Sequence, residues 1–266
     1  MVIPKAIIAD ADGTLVNTLY IIRHGQYEGF KAYVKQASLG VNFPDYDTYE
    51  AHLNTVVGAD LRDSLHRTAH LLYPNRPDIL EKLDFESISK LVRPIQDNLA
   101  PRFVKAYDGL DDLLSLLSKK DIKFGIFTSG SPHNVVRNFG IALPKLGLSK
   151  LFKDNSIDEI GKVRIFEATI KKYYNLPDFV IVTAHDVTAH KPDPESLKLA
   201  MERLSVLPTD CLVMGDHKFD MQSGVNAGAP QIIGITHGFD DRETLIEAGA
   251  TDVIDSLPEL VAKLSH

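Results

Sequence analysis

The sequence predicts an α/β protein: a doubly wound, mostly parallel sheet with an all-helical domain inserted near its start. Three observations carry that prediction. An apolar run beginning near Val2 ends in Asp10-Ala11-Asp12-Gly13-Thr14. From Asp108 onward, short apolar runs alternate with amphipathic segments. Between these regions, from Thr14 to about Leu99, the periodicity is helical and no strand pattern interrupts it. Alternating strands and helices imply parallel strands joined by right-handed crossovers.

The first apolar run reads as a buried strand. Strand side chains alternate faces, so Asp10 and Asp12 emerge together while Ala11 points away. Two adjacent carboxylates repel each other and favour a nearby cation. Gly13 lets the backbone turn sharply or approach a ligand. In the helical block, Tyr27, Phe30, Val34 and Ala37 share a face, as do Tyr49, Leu53, Val56 and Val57. Leu61, Leu65, Ala69 and Leu72 form a third face, and Phe85, Ile88, Val92 and Ile95 a fourth. Arg93-Pro94 and Ala100-Pro101 mark the return crossing, giving a helical domain over 18–98 and a core over 1–17 and 99–266.

In that core, Leu110, Leu113, Leu114 and Leu117 line a helix with acids at its start and lysines at its end, which suits the helix dipole. Further strands are expected at 122–127, 179–183, 211–214, 230–235 and 252–254. The segment 154–177 stands outside this rhythm; its spacing favours a surface helix packed on the sheet.

A net charge of −7 argues against a nucleic-acid or anionic-membrane binder, so bound phosphate must meet local positive charge. The single cysteine, Cys211, opens an apolar run and reads as a packed residue; one cysteine forms no internal disulfide, which fits a reducing compartment. A basic leader with an apolar core is absent, as is any apolar stretch of ~20 residues. The expectation is a cytoplasmic protein with a small-molecule substrate and no nucleic-acid or membrane partner. Oligomeric state is left open.

Three polar clusters directly follow apolar runs: Asp10/Asp12, Thr128-Ser129-Gly130 and Asp216/Asp220. Lys191 lies in a loop beyond another strand. All strand ends of a parallel sheet lie at one edge, where ligands bind, so these clusters should converge. Carboxylates suit Mg²⁺, and Lys191 with Thr128 supplies donors for a phosphate.

Taken in order, Asp-Ala-Asp-Gly-Thr-Leu, Thr-Ser-Gly, Lys-Pro-Asp-Pro and Gly-Asp-His-Lys-Phe-Asp resemble the four motifs of the haloacid dehalogenase-like hydrolase superfamily. The helical block resembles its small helical cap. The stretches 234–239 and 250–257 are most similar to the phosphoglycolate-phosphatase branch. The resemblance implies a Rossmann-like core and a Mg²⁺-dependent phosphatase acting on a small phosphorylated metabolite, either phosphoglycolate-like or a sugar phosphate. It implies that Asp10 is the nucleophile, forming an aspartyl phosphate, and that Asp12 is the general acid and base. Mg²⁺ would be held by Asp10, the Asp12 carbonyl and Asp216, with Asp220 supporting or ligating. Thr128, the Ser129 amide and Lys191 would hold phosphate oxygens.

The sequence departs from the pattern at Asn17, at His217 and at His190; both histidines are expected to be solvated loop residues. A carboxylic acid at Asp12 disfavours the dehalogenase and phosphonatase reactions of the superfamily. The nearest rival is a sugar phosphomutase, because Gly58-Ala59-Asp60-Leu61-Arg62-Asp63-Ser64-Leu65 resembles the specificity loop of β-phosphoglucomutases with its arginine one place late. A non-catalytic phosphate-binding protein is the rival from another class. Arg62 and His24 are the candidate specificity residues of the cap; His66 and Arg67 are further basic side chains there.

Overall fold

The structure is a computed structural model that describes residues 2–56 and 60–265. The chain opens with strand β1 (Ala6–Ala9) and a two-residue strand β2 (Val16–Asn17). Helices α1 (Leu19–Gln36), α2 (Tyr46–Asn54), α3 (Leu61–Leu72), α4 (Pro77–Leu80) and α5 (Phe85–Phe103) follow. Strand β3 (Lys105–Ala106) leads into α6 (Leu110–Lys119), β4 (Lys123–Phe127), α7 (Pro132–Ala142) and α8 (Glu159–Tyr174). Next come β5 (Phe179–Val182), α9 (Glu195–Arg203), β6 (Cys211–Gly215) and α10 (Lys218–Ala227). Strand β7 (Gln231–Ile235), α11 (Arg242–Glu247), β8 (Asp252–Ile254) and α12 (Leu257–Ser265) complete the chain. Two compact units result: Met1–Asn17 with Lys105–His266, and Thr18–Val104.

In the first unit, six parallel strands form one sheet in the order β5-β4-β1-β6-β7-β8. Every residue of β1 is buried, as its unbroken apolar run requires of a strand covered on both faces. Ile8 pairs with Gly125 of β4 on one side and Val213 of β6 on the other. Its core neighbours include Phe127, Leu197 and Met201. Strand order reverses beside β1, so the ligand crevice of such a sheet opens at its C-terminal end. The strand begins at Ala6 rather than near Val2. Pro4 has no N–H to give to a ladder, and Val2 is exposed.

Strands β2 and β3 form a separate antiparallel pair, with Asn17 opposite Lys105. Two-residue strands carry no periodicity, so the sequence did not announce them. Helix α8 packs against α7 and β5, burying Val163, Phe166, Ile170 and Tyr174, while Ile160 and Tyr173 stay exposed. Beside it, the edge strand β5 is closed by side chains. Ile181 N–H donates to Glu167 Oε1 at 2.5 Å, and its carbonyl accepts from Arg203 Nη1 at 2.9 Å. Free strand edges invite pairing with other chains, and this pair of side chains occupies the groups that would do so.

In the helical unit, α1 and α5 approach closely at two glycines. A Cβ at Gly25 would fall 2.5 Å from the Gln96 side chain, and one at Gly29 2.5 Å from that of Val92. Helix α5 buries Ile88, Val92, Gln96 and Ala100, a four-residue stripe that runs past Pro94 and ends beside Pro101. Pro94 and Pro101 are exposed and lie inside the helix, so the return crossing falls at 104–105 rather than at 98–99. Gln96, not Ile95, continues the stripe from Val92 to Ala100. Tyr27, Phe30 and Val34 are buried, whereas Ala37 is exposed beyond the helix end. Val57, expected on the α2 face, lies outside the described residues. Asp45, Asp60 and Asp84 accept amide N–H groups at the starts of α2, α3 and α5, satisfying donors that a helix leaves open. Among the described residues no helix is long and apolar enough to cross a membrane.

Candidate active site

The site grows from the end of β1. Asp10 N–H donates to Met214 O of the neighbouring β6 at 2.8 Å, which fixes where its side chain leaves the sheet. Gly13 then adopts φ +91°, a left-handed conformation that L side chains rarely enter. Thr14 follows and donates through Oγ1 to Asp216 Oδ1 at 2.6 Å. The second oxygen of Asp216 accepts Phe239 N–H at 2.9 Å. Asp220 sits in the first turn of α10, where Oδ2 accepts the N-cap N–H of His217 at 3.0 Å.

Lys191 closes the cluster. Its ammonium donates to Asp10 Oδ1 at 2.5 Å and to Asp220 Oδ1 at 2.7 Å, and lies 3.9 Å from the centre of the Phe127 ring. Its loop is held by Glu195, whose carboxylate accepts the N–H groups of Thr188 and Ala189. Asp10, Lys191, Asp216 and Asp220 are each at most 7% exposed. Three carboxylates thus meet one ammonium away from water. Burial, with repulsion from Asp220 and against the attraction of Lys191, pushes Asp10 up to about 7. Burial and the charges of Asp10 and Asp220 raise Asp216 well above the carboxylate range. One oxygen from each of the three lies within 4.8 Å of the other two. Hard oxygen donors converging with excess negative charge fit a divalent cation.

Asp12 is placed beside the β4 end. Asn138 Nδ2 of α7 donates to its Oδ1 at 2.8 Å, and a Cβ at Gly130 would fall 3.3 Å from its Oδ2. Thr128 is buried; its Oγ1 accepts Gly130 N–H at 2.9 Å, so the turn after β4 is internally braced. Ser129 follows at half exposure, and Ser131 caps α7 by accepting Asn134 N–H. The structure therefore gathers Asp10, Asp12, Thr128, Ser129, Lys191, Asp216 and Asp220 at one edge of the sheet.

His217 differs from expectation. It is 2% exposed, not solvated, because its Nδ1 accepts Phe219 N–H at 3.2 Å as part of the α10 cap. His24 and Arg62 belong to the helical unit. His24 is half-buried, its ring stacked on Tyr20 at 3.8 Å and tilted against Tyr46 at 4.2 Å. Arg62 is exposed in the first turn of α3, its N–H on the Asp60 cap. Gly58 and Ala59, the start of the loop compared with mutases, lie outside the described residues. Sequence reasoning missed Thr14, Asn138 and the Phe239 amide. The last two lie far from any strand-end acid in sequence and carry no local signal.

This fold and site define a class: an α/β protein with an acidic, lysine-closed centre at the switch point of a parallel sheet. The chain belongs to the haloacid dehalogenase-like hydrolases, whose family model matches residues 4–228. Over 94% of each chain it is 25% identical to a phosphorylated carbohydrates phosphatase of Thermotoga maritima. It is 26% identical to a putative pyrophosphatase PpaX of Clostridium perfringens, across 98% of this chain and 99% of the relative. A crystal structure of a hydrolase from Pseudomonas syringae shares the fold with a TM-score of 0.69 at 21% identity, covering 98% of both chains. Within its family the protein is an enzyme of the phosphatase kind.

Proposed function

We propose that the protein is a Mg²⁺-dependent phosphomonoesterase of the cytoplasm, acting on a small phosphorylated metabolite through an aspartyl phosphate on Asp10. The observation that carries this reading is the placement of Lys191 between Asp10 and Asp220, within a buried carboxylate cluster whose charge it does not balance. A carboxylate attacks phosphorus only where positive charge offsets the repulsion between two anions. Asp10, the Asp12 carbonyl, Asp216 and Asp220 would hold Mg²⁺, which supplies charge neutralisation and polarises phosphoryl oxygens. Thr128, the Ser129 amide and Lys191 bind the remaining phosphate oxygens.

In the first step an Asp10 oxygen forms a bond to phosphorus while the bond to the leaving oxygen breaks. Asp12 gives its proton to that oxygen. In the second step water attacks the phosphoryl group, Asp12 takes the water proton, and Asp10 is released with inorganic phosphate. His24 and Arg62 are the cap residues assigned to substrate choice. The Thermotoga maritima relative, named for phosphorylated carbohydrates, supports a sugar phosphate or a similar small ester as substrate.

The test is a panel of phosphorylated metabolites with Mg²⁺, followed for both free phosphate and isomerised sugar phosphate. Phosphate release that depends on Asp10 supports the reading. Isomerisation running ahead of phosphate release makes the protein a phosphomutase, and no turnover of any ester makes it a phosphate-binding protein.

A further inference from the structure

Two histidines of the helical unit take no part in the proposed chemistry. His66 and His70 stand one turn apart on α3, at positions i and i+4, which share a helix face. Both are exposed. Their rings lean together, with centroids 4.6 Å apart and planes at 55°. The Phe85 ring, at the start of α5, packs against His66 at 5.1 Å and 63°, so a second helix restrains one member of the pair. Arg67, the cation between them in sequence, is drawn off to Asp63 at 2.8 Å. Among the described residues neither imidazole makes a hydrogen bond or an ion pair.

We propose that His66 and His70 together hold a divalent transition-metal ion, Zn²⁺ or its neighbours Ni²⁺ and Cu²⁺, with no ligand in common with the carboxylate cluster. Imidazole nitrogen is a donor these ions favour, whereas Mg²⁺ takes hard oxygen donors. A neutral imidazole has one nitrogen with a lone pair to give. Spacing of i and i+4 lets two such nitrogens meet one ion on one side of a helix, as in the paired helical histidines that bind Zn²⁺ in metalloproteases. Once one ring is bound, the other is held nearby at high effective concentration. Water completes the coordination, because no third histidine, cysteine or acidic side chain joins the two rings among the described residues. An ion bridging them also ties together the second half of α3, a 12-residue helix whose stability otherwise comes from packing.

The experiment titrates the full chain with Ni²⁺ by calorimetry, with Mg²⁺ in excess throughout. Any Ni²⁺ taken by Asp10, Asp216 and Asp220 is common to every variant and subtracts out. The expected result is one further site in the wild type, weakened at least about tenfold in His66→Gln and likewise in His70→Gln, the scale of losing even a group that orients a metal ligand. Both positions are exposed, so the variants keep the fold. A third protein combines His70→Gln with Leu71→His, at a residue 41% exposed. It restores the number of imidazoles but sets them about 140° apart around the helix, and should not recover binding. Ni²⁺ should also raise the melting temperature of the wild type more than that of His70→Gln. Equal affinity in the wild type and both single variants, or recovery in the shifted protein, overturns the proposal. Loss in only one single variant means that one ring binds alone, and the shared site fails.

Discussion

Gly13 and Asp216 are packed so closely that a Cβ on residue 13 would stand 2.2 Å from the Asp216 carboxylate oxygen Oδ2. The glycine also holds φ +91°, so any side chain there is strained twice over. Gly13→Ala should push Asp216 off its bonds to Thr14 and Phe239. The expected outcome is a drop of at least about tenfold in Mg²⁺ affinity, the size of effect seen when partners that orient metal ligands are lost, with the fold retained by circular dichroism. Unchanged Mg²⁺ activation curves would count against Asp216 as a ligand.

Asp10→Asn should lower turnover by at least about 10³-fold, the scale of losing a nucleophile. Because it also removes one of three mutually repelling carboxylates, the metal-free protein should melt at a higher temperature than the wild type at pH 8. A variant that turns over at a comparable rate refutes the nucleophile assignment.

Stability without metal should depend on pH in a definite direction. Asp10 moves from 3.8 up to about 7 on folding, and Asp216 moves the same way. At these two carboxyls the folded state therefore holds more protons than the unfolded one between those values, and their contribution to stability falls as pH rises through that window. His217 and His237, whose burial lowers their values, contribute in the opposite sense. Millimolar Mg²⁺ should flatten the slope and raise the melting temperature most at the alkaline end. Melting curves at pH 5 and pH 8, with chelator and with Mg²⁺, check this. A metal-free wild type whose stability falls no more steeply from pH 5 to pH 8 than that of metal-free Asp10→Asn contradicts it.

Glu167→Leu should cost about 1–3 kcal/mol, the penalty for a buried N–H left without its acceptor, here that of Ile181. Chemical denaturation measures it. Loss of this edge plug should also increase self-association at high protein concentration, read by light scattering.

Arg62→Ala should raise KM for the physiological ester roughly tenfold, the worth of one hydrogen bond to a charged group, while leaving an aryl phosphate unaffected. Equal responses make Arg62 a surface residue without a part in substrate choice.

Much of this was legible because parallel strands buried on both faces write themselves as unbroken apolar runs, as at Ile7, Ile8, Val213 and Ile232. Strand-end acids stand out against such runs, so Asp10, Asp12, Asp216 and Asp220 were visible as one set. What stayed hidden has physical reasons. Asn138 lies mid-helix, and only tertiary packing aims it at Asp12. Prolines at 94 and 101 read as breaks, yet their rings sit on the outward side of α5, where the buried stripe does not need them. His217 read as solvated because nothing in the sequence says that its ring caps a helix.

The pairing of Asn17 with Lys105 has a topological consequence. Partners in an antiparallel ladder stand about 5 Å apart, the separation of the two ends of a tight hairpin. To the six-stranded sheet, the entire helical unit is no longer than a turn. Whatever is threaded between those two residues can lengthen, shorten or exchange its sequence without shifting the register of β1 against β4 and β6. The catalytic edge and the helical insert are thereby two separately editable parts of one chain.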